Sequence, residues 1–145
     1  MLFRSNLGNT LKALGLKSQA AYHYEISLQI DPKFESAYLN LANLAKENGK
    51  YKTAIRNYTS LLELNPQHLL AKTHLVNTYM AKAKSLFFLK KNEEMLECLR
   101  KAQDLDPQNP TVLINLAIYY LCKGDFEKGF YYYLQRGSEI GRAHV

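Results

Sequence analysis

Ile30-Asp31-Pro32 returns as Leu64-Asn65-Pro66 and again as Leu105-Asp106-Pro107. The first two prolines lie 34 residues apart and the next pair 41, seven more. A period of this length marks supersecondary units stacked in a row, each too small to bury its own apolar face. Set in register on the prolines, the chain resolves into columns. Leu7, Leu41, Leu75 and Leu116 form one, and Gly8, Ala42, Val76 and Ala117 form the next. Leu11, Ala45, Tyr79 and Tyr120 follow one turn on. Ala20, Ala54, Met95 and Gly129 make a second small-residue column, and Tyr24, Tyr58, Leu99 and Tyr133 come a turn after it.

The columns have a packing logic. Two antiparallel helices approach closely only where small residues face each other. Gly8 is therefore expected against Ala20 and Ala42 against Ala54, with leucines and tyrosines filling the space between hairpins. Gly15, Gly49 and Gly124 stand where a first helix must end, because glycine accepts the left-handed backbone of a C-cap. Pro32, Pro66 and Pro107 stop the second helices, having no N–H to donate. Asn109-Pro110 reads as an N-cap followed by proline in the first turn. Together these signals predict helices over 2–14, 18–30, 35–48, 52–64, 68–89, 92–105, 110–123 and 126–138. The seven extra residues fall around Lys82–Leu89, close to two helical turns, and lengthen the first helix of the third unit.

This pattern resembles the tetratricopeptide repeat, a 34-residue helix–turn–helix unit. The resemblance covers about residues 2–138, in units of about 1–34, 35–68, 69–109 and 110–138. It implies an all-α fold, a right-handed superhelical solenoid of four stacked hairpins whose inner wall is made by the first helix of each unit. It also assigns a peptide-binding groove to two columns of those helices: Asn6, Asn40, His74 and Asn115, then Asn9, Asn43, Asn77 and Ile118. An asparagine amide carries one acceptor oxygen and two donors without charge, so it can pair with both the N–H and the C=O of an extended peptide. The asparagine row is similar to that in the superhelix of O-linked N-acetylglucosamine transferase. Another binding mode of the family, a clamp for an acidic C-terminus, needs cationic side chains where this chain has Ser5, Leu70 and His74. Only its asparagines, Asn9 and Asn40, are present, and without Lys or Arg a carboxylate loses its charge-assisted hydrogen bonds.

Three further features bear on binding. Val112, Leu113, Leu116, Ala117 and Tyr120 already supply a buried face for helix 110–123, yet Ile114, Ile118, Leu121 and Cys122 add a second apolar stripe toward the groove. A helix apolar all round is normally buried. Either further repeats cover this stripe or it receives a partner's apolar side chain. Lys82, Lys84, Lys90 and Lys91 bracket Leu86-Phe87-Phe88-Leu89, as a solvated helix face or as a dock for an acidic partner or membrane surface. The last helix carries Phe126, Phe130, Tyr131, Tyr132, Tyr133 and Leu134. Repeat arrays need a polar cap over such a face, so self-association through it is expected. The final Ile140-Gly141-Arg142-Ala143-His144-Val145 is what the sequencing-adapter string ATC GGA AGA GCA CAC GTC encodes, and residues 139–145 are expected to be a non-native tail.

Composition narrows the function classes. A chain of 145 residues, 47% hydrophobic and 22% charged, has the balance of a folded domain rather than a disordered or collagen-like one. Its net charge of +6 favours acidic partners. Although 11 tyrosines accompany that charge, most fall in packing columns or second helices and no compact Arg-rich stripe exists, so no nucleic acid is expected. No apolar run reaches the ~18 residues of a membrane span. Cys98 and Cys122 form no CxxC pair and the four histidines are scattered, so no metal, cofactor or catalytic constellation is expected. The thiols fit a reducing, cytoplasmic compartment. The expected function is a non-enzymatic protein-interaction module, a scaffold holding an extended peptide or partner helix in its groove. The alternative is the substrate-recognition arm of a larger enzyme such as a glycosyltransferase.

Overall fold

The computed structural model describes residues 2–140, and all regular structure among them is helical. The helices are α1 (Leu2–Ala13), α2 (Lys17–Ile30), α3 (Glu35–Glu47), α4 (Tyr51–Leu64), α5 (Leu69–Phe88), α6 (Asn92–Leu105), α7 (Pro110–Cys122) and α8 (Phe126–Ile140). Seven of these lie within one residue of their expected spans. The exception is α8, which continues to Ile140. Residues 139 and 140, expected to be tail, are therefore helical, and 141–145 lie outside the described residues.

Local chemistry accounts for both kinds of helix end. After α1, Gly15 has φ 78°, its N–H reaches the Lys12 carbonyl at 3.0 Å, and the Leu16 N–H reaches the Leu11 carbonyl at 2.9 Å. That pair of bonds is the Schellman motif, which satisfies the last free carbonyls of a helix. The same pair closes α3 through Gly49 and α7 through Gly124. At the end of the lengthened α5 the left-handed position is held by Lys90, at φ 58°. The second helices end differently. Asp31, Asn65 and Asp106 are extended, at φ −135°, −138° and −142°, because a following proline excludes the helical region. Asn109 caps α7, its Oδ1 accepting from the Thr111 and Val112 N–H groups at 3.1 and 3.2 Å, with Pro110 in the first turn.

The chain forms two compact units, one up to Thr78 and one from Tyr79 onward. The division falls inside α5, not between repeats. In the first unit α1 pairs with α2, α3 pairs with α4, and α2 lies against α3. Its core gathers Ala20, Tyr24, Ala37, Leu41 and Leu44, with Leu11, Leu28 and Phe34 packed around them. In the second unit α7 pairs with α8 and α6 lies against α7, over buried Leu99, Ala102, Val112, Leu116 and Ala117. No described helix is long and apolar enough to cross a membrane.

One close approach differs from expectation. A methyl group added at Gly8 would stand 2.7 Å from Cε1 of Tyr24, so the residue that requires glycine there is Tyr24 rather than Ala20. Tyr24 lies one helical turn beyond Ala20 on the same face of α2, and its ring covers the spot.

Candidate peptide-binding surface

Asn6 and Asn9 sit three residues apart on one face of α1, and Asn40 and Asn43 repeat the arrangement on α3. In the first unit these two helices bring their amides together. The Tyr24 hydroxyl donates to Asn9 Oδ1 at 2.6 Å, and Asn40 Nδ2 donates to the same oxygen at 3.2 Å. Fifteen residues separate Asn9 from Tyr24. The same separation gives the next pair, where the Tyr58 hydroxyl donates to Asn43 Oδ1 at 2.5 Å. Both phenols stay protonated near neutrality. Burial raises the Tyr24 pKa, and burial reinforced by the Glu47 charge pushes Tyr58 up to about 12.

These bonds decide what the amides still have to give. An amide oxygen has two acceptor sites, and on Asn9 both are taken, so Asn9 presents only donors. That corrects the reading in which every asparagine offers both functions to a peptide. Asn43 keeps its Nδ2 and half of its oxygen's capacity. Asn40 uses one donor on Asn9 and keeps its oxygen.

The remaining positions are placed as follows. Asn6 and Asn77 are exposed. His74 is half-buried, its ring stacked on Tyr58 with centroids 5.8 Å apart and planes 18° from parallel. Burial, helped by the Lys46 charge, lowers its pKa and keeps it neutral. Its Nδ1 is buried with no hydrogen-bond partner among the described residues. His74 therefore acts as a packed ring in this unit rather than an open rung of the row.

Asn115, Ile114 and Ile118 belong to the second unit. Asn115 turns its Nδ2 back onto the Thr111 carbonyl of its own helix at 2.7 Å, Ile114 is half-buried, and Ile118 is 49% exposed. Here the unit contains a cavity of about 720 Å³, bounded by the far half of α5, by α6 and by α7. Asn115 and Ile118 line it, with Phe87 and Phe88 from the inserted turns and Met95 and Leu99 from α6. In the sequence the insertion and the second apolar stripe of α7 are separate features. That they share one cavity required the packing.

Residues 23–56 and 76–109 each match a family model described as tetratricopeptide repeat. Among curated proteins, the chain is 29% identical to the DnaJ homolog subfamily C member 3 homolog of Dictyostelium discoideum, over 83% of this chain and 26% of that protein. It is 28% identical to the anaphase-promoting complex subunit CDC16 of Saccharomyces cerevisiae, over 85% of this chain and 14% of that protein. The chain thus spans about a quarter and a seventh of the lengths of these relatives. Among solved structures it is similar to MamA, with TM-score 0.62 at 19% identity over 93% of this chain and 70% of that one. It is also similar to a thermophilic TPR protein in Thermus thermophilus, with TM-score 0.53 at 22% identity over 94% of this chain and 73% of that one. At these identities the likeness shows the fold, a tetratricopeptide-type helical solenoid.

Proposed function

We propose that this chain, in which residues 23–56 and 76–109 match the tetratricopeptide repeat, a unit that generally serves as a non-catalytic scaffold for other proteins, holds an extended peptide or partner helix along the first helices of its hairpins. The observation that carries the reading is the Asn9–Asn40 contact. It sets the amides of successive repeats side by side, with the Asn40 oxygen and the Asn9 Nδ2 group left to face main chain. Solenoids use such repeated surfaces for binding. Because the contacts go to peptide backbone, affinity is tolerant of ligand side chains.

The test is Asn6→Ala, Asn40→Ala and Asn77→Ala combined, titrated with a library of unrelated extended peptides. None of the three holds a buried tyrosine, and Ala is the better helix former, so the melting temperature should hold. Each lost hydrogen bond is worth about 0.5–1.5 kcal/mol, so binding should weaken by roughly one to three orders of magnitude for many peptides alike. Unchanged affinities reject the reading. The recognition arm of a larger enzyme would use the same row, and sequencing the transcript to both of its ends separates that alternative from a scaffold.

A further inference from the structure

We propose that the cavity of the second unit is a separate docking site, taking a bulky apolar side chain carried on an acidic peptide segment. This rests on the reading of the chain as a peptide-binding module and adds a site with a different chemistry.

The cavity is a product of the insertion. Without the extra two turns α5 would end near residue 81, and its Lys84, Phe87 and Phe88 would not exist as a wall. With them, Lys84 and Phe88 stand four residues apart on one face. On α7, Asn115, Ile118 and Cys122 are spaced three and four residues apart and form the facing stripe, and all three line the cavity. At about 720 Å³ it falls in the ~300–1,000 Å³ range of pockets that hold drug-sized ligands, and so has room for an aromatic side chain and its neighbour. Its apolar lining stands open in the unbound chain, with Phe87 55% and Phe88 71% exposed. Contiguous apolar surface of this kind marks interaction sites.

Charge selects the flank of the ligand. Lys84 and Lys123 both line the cavity, and neither has a carboxylate partner among the described residues. Lys123 rests over the Tyr119 ring at 6.0 Å. Three other lysines of this unit are engaged, Lys91 with Glu94, Lys101 with Glu97 and Lys128 with Asp125, while Lys82 and Lys90, also without an ion pair among the described residues, do not line the cavity. No carboxylate is among the residues that line the cavity, although the charge of Glu93 reaches Tyr119. An apolar anchor between acidic residues therefore satisfies both the lining and the rim.

The experiment uses the whole chain and a blocked hexapeptide of two aspartates, phenylalanine, leucine and two aspartates. Cys122, exposed and lining the cavity, serves as reporter. Cys98 is buried, and burial raises its thiol pKa, so it reacts slowly. The peptide should slow modification of Cys122 by a thiol reagent, and a version with alanines for phenylalanine and leucine should not. Lys84→Glu with Lys123→Glu should weaken the acidic probe roughly tenfold and favour a probe with lysines for aspartates. Ile118→Asp should abolish binding, and Phe88→Ser, at a more exposed position, repeats that test should Ile118→Asp lower the melting temperature. The triple asparagine-to-alanine variant of the first unit should bind this probe as before. No protection of Cys122 while the peptide library still binds overturns the docking site and leaves the asparagine reading standing. Probe binding lost in the triple-alanine variant but kept in Ile118→Asp overturns it too. So does binding to phosphatidylserine vesicles, sensitive to Lys84→Glu and Ile118→Asp, with none to the peptide.

Discussion

The two units treat one column of the repeat in opposite ways. In the first, the column holds Asn9 and Asn43, and each is pinned by a phenol fifteen residues on, Tyr24 or Tyr58. In the last repeat it holds Ile118, and the residue fifteen on, Tyr133, is 47% exposed with the Arg136 guanidinium over its ring at 4.9 Å. In the third repeat Leu99 stands in the tyrosine column, so no phenol from that column serves Asn77. The amide and the phenol are therefore paired in the first two repeats and uncoupled in the other two. A buried tyrosine hydroxyl needs a partner: where Ile118 replaces the asparagine, Tyr133 is turned out to solvent, and where Leu99 replaces the tyrosine, Asn77 is left exposed. In the second unit the exchange to Ile118 acts together with the inserted turns of α5, and an apolar wall stands where the first unit has a row of amides.

The largest effect that would sharpen this contrast is at Gly8. The Tyr24 ring lies over it and is held by its bond to Asn9, so Gly8→Leu should cost about 2–3 kcal/mol, at the upper end of overpacking. In the other unit a methyl at Gly129 would meet Leu121 Cδ2 at 2.5 Å and Cγ at 2.6 Å. Leu121 is half-buried and its backbone nitrogen stands 3.2 Å from the same methyl, but alanine adds one carbon where leucine at position 8 must displace a ring, so Gly129→Ala should cost less than Gly8→Leu. Urea unfolding of both variants checks the order, and a loss at Gly129→Ala as large as at Gly8→Leu would mean that the hairpin contact of the second unit is the tighter one.

Next in size are the phenols themselves. Tyr58→Phe removes the phenol donor from the Asn43 oxygen and Tyr24→Phe leaves the Asn9 oxygen with Asn40 alone, and each should lose about 0.5–1.5 kcal/mol. Tyr133→Phe should stay within about 0.5 kcal/mol of the parent, as surface changes do. If all three melting temperatures fall alike, the asparagine–tyrosine pairing contributes nothing particular to the first unit.

The smallest effect concerns the inserted turns. Lys90 takes a left-handed backbone where the other first helices have glycine. Lys90→Gly should therefore stabilise the chain by roughly 0.5–1 kcal/mol, the left-handed penalty less glycine's larger entropy loss. A loss of stability would show that the Lys90 side chain offsets its backbone strain.

The helices and their ends were legible because their causes are local. Gly15, Gly49 and Gly124 close a helix through bonds to carbonyls three and five residues back, and Pro32, Pro66 and Pro107 bend the residue just before them. Such signals need no knowledge of the rest of the chain. The period and the seven-residue insertion were equally plain, and they foretold the length of α5. The end of α8 is less legible, because no proline or capping residue marks a stop at 138, and the helix runs two residues past it.

What the sequence determined by itself, then, is where each helix begins and ends and which residues occupy equivalent places. The tertiary structure alone decided which of those residues meet. Both the asparagine and the tyrosine columns were visible, but that Asn9 faces Tyr24 depends on how α1 and α2 are rotated about their own axes. Gly8 proved to be the neighbour of Tyr24 rather than Ala20 for the same reason, and His74 was drawn from the row onto the Tyr58 ring. The cavity joins residues from α5, α6 and α7 that no local spacing connects. Rotation and crossing of helices are set by the summed fit of many side chains at once, and that sum exists only in the packed chain.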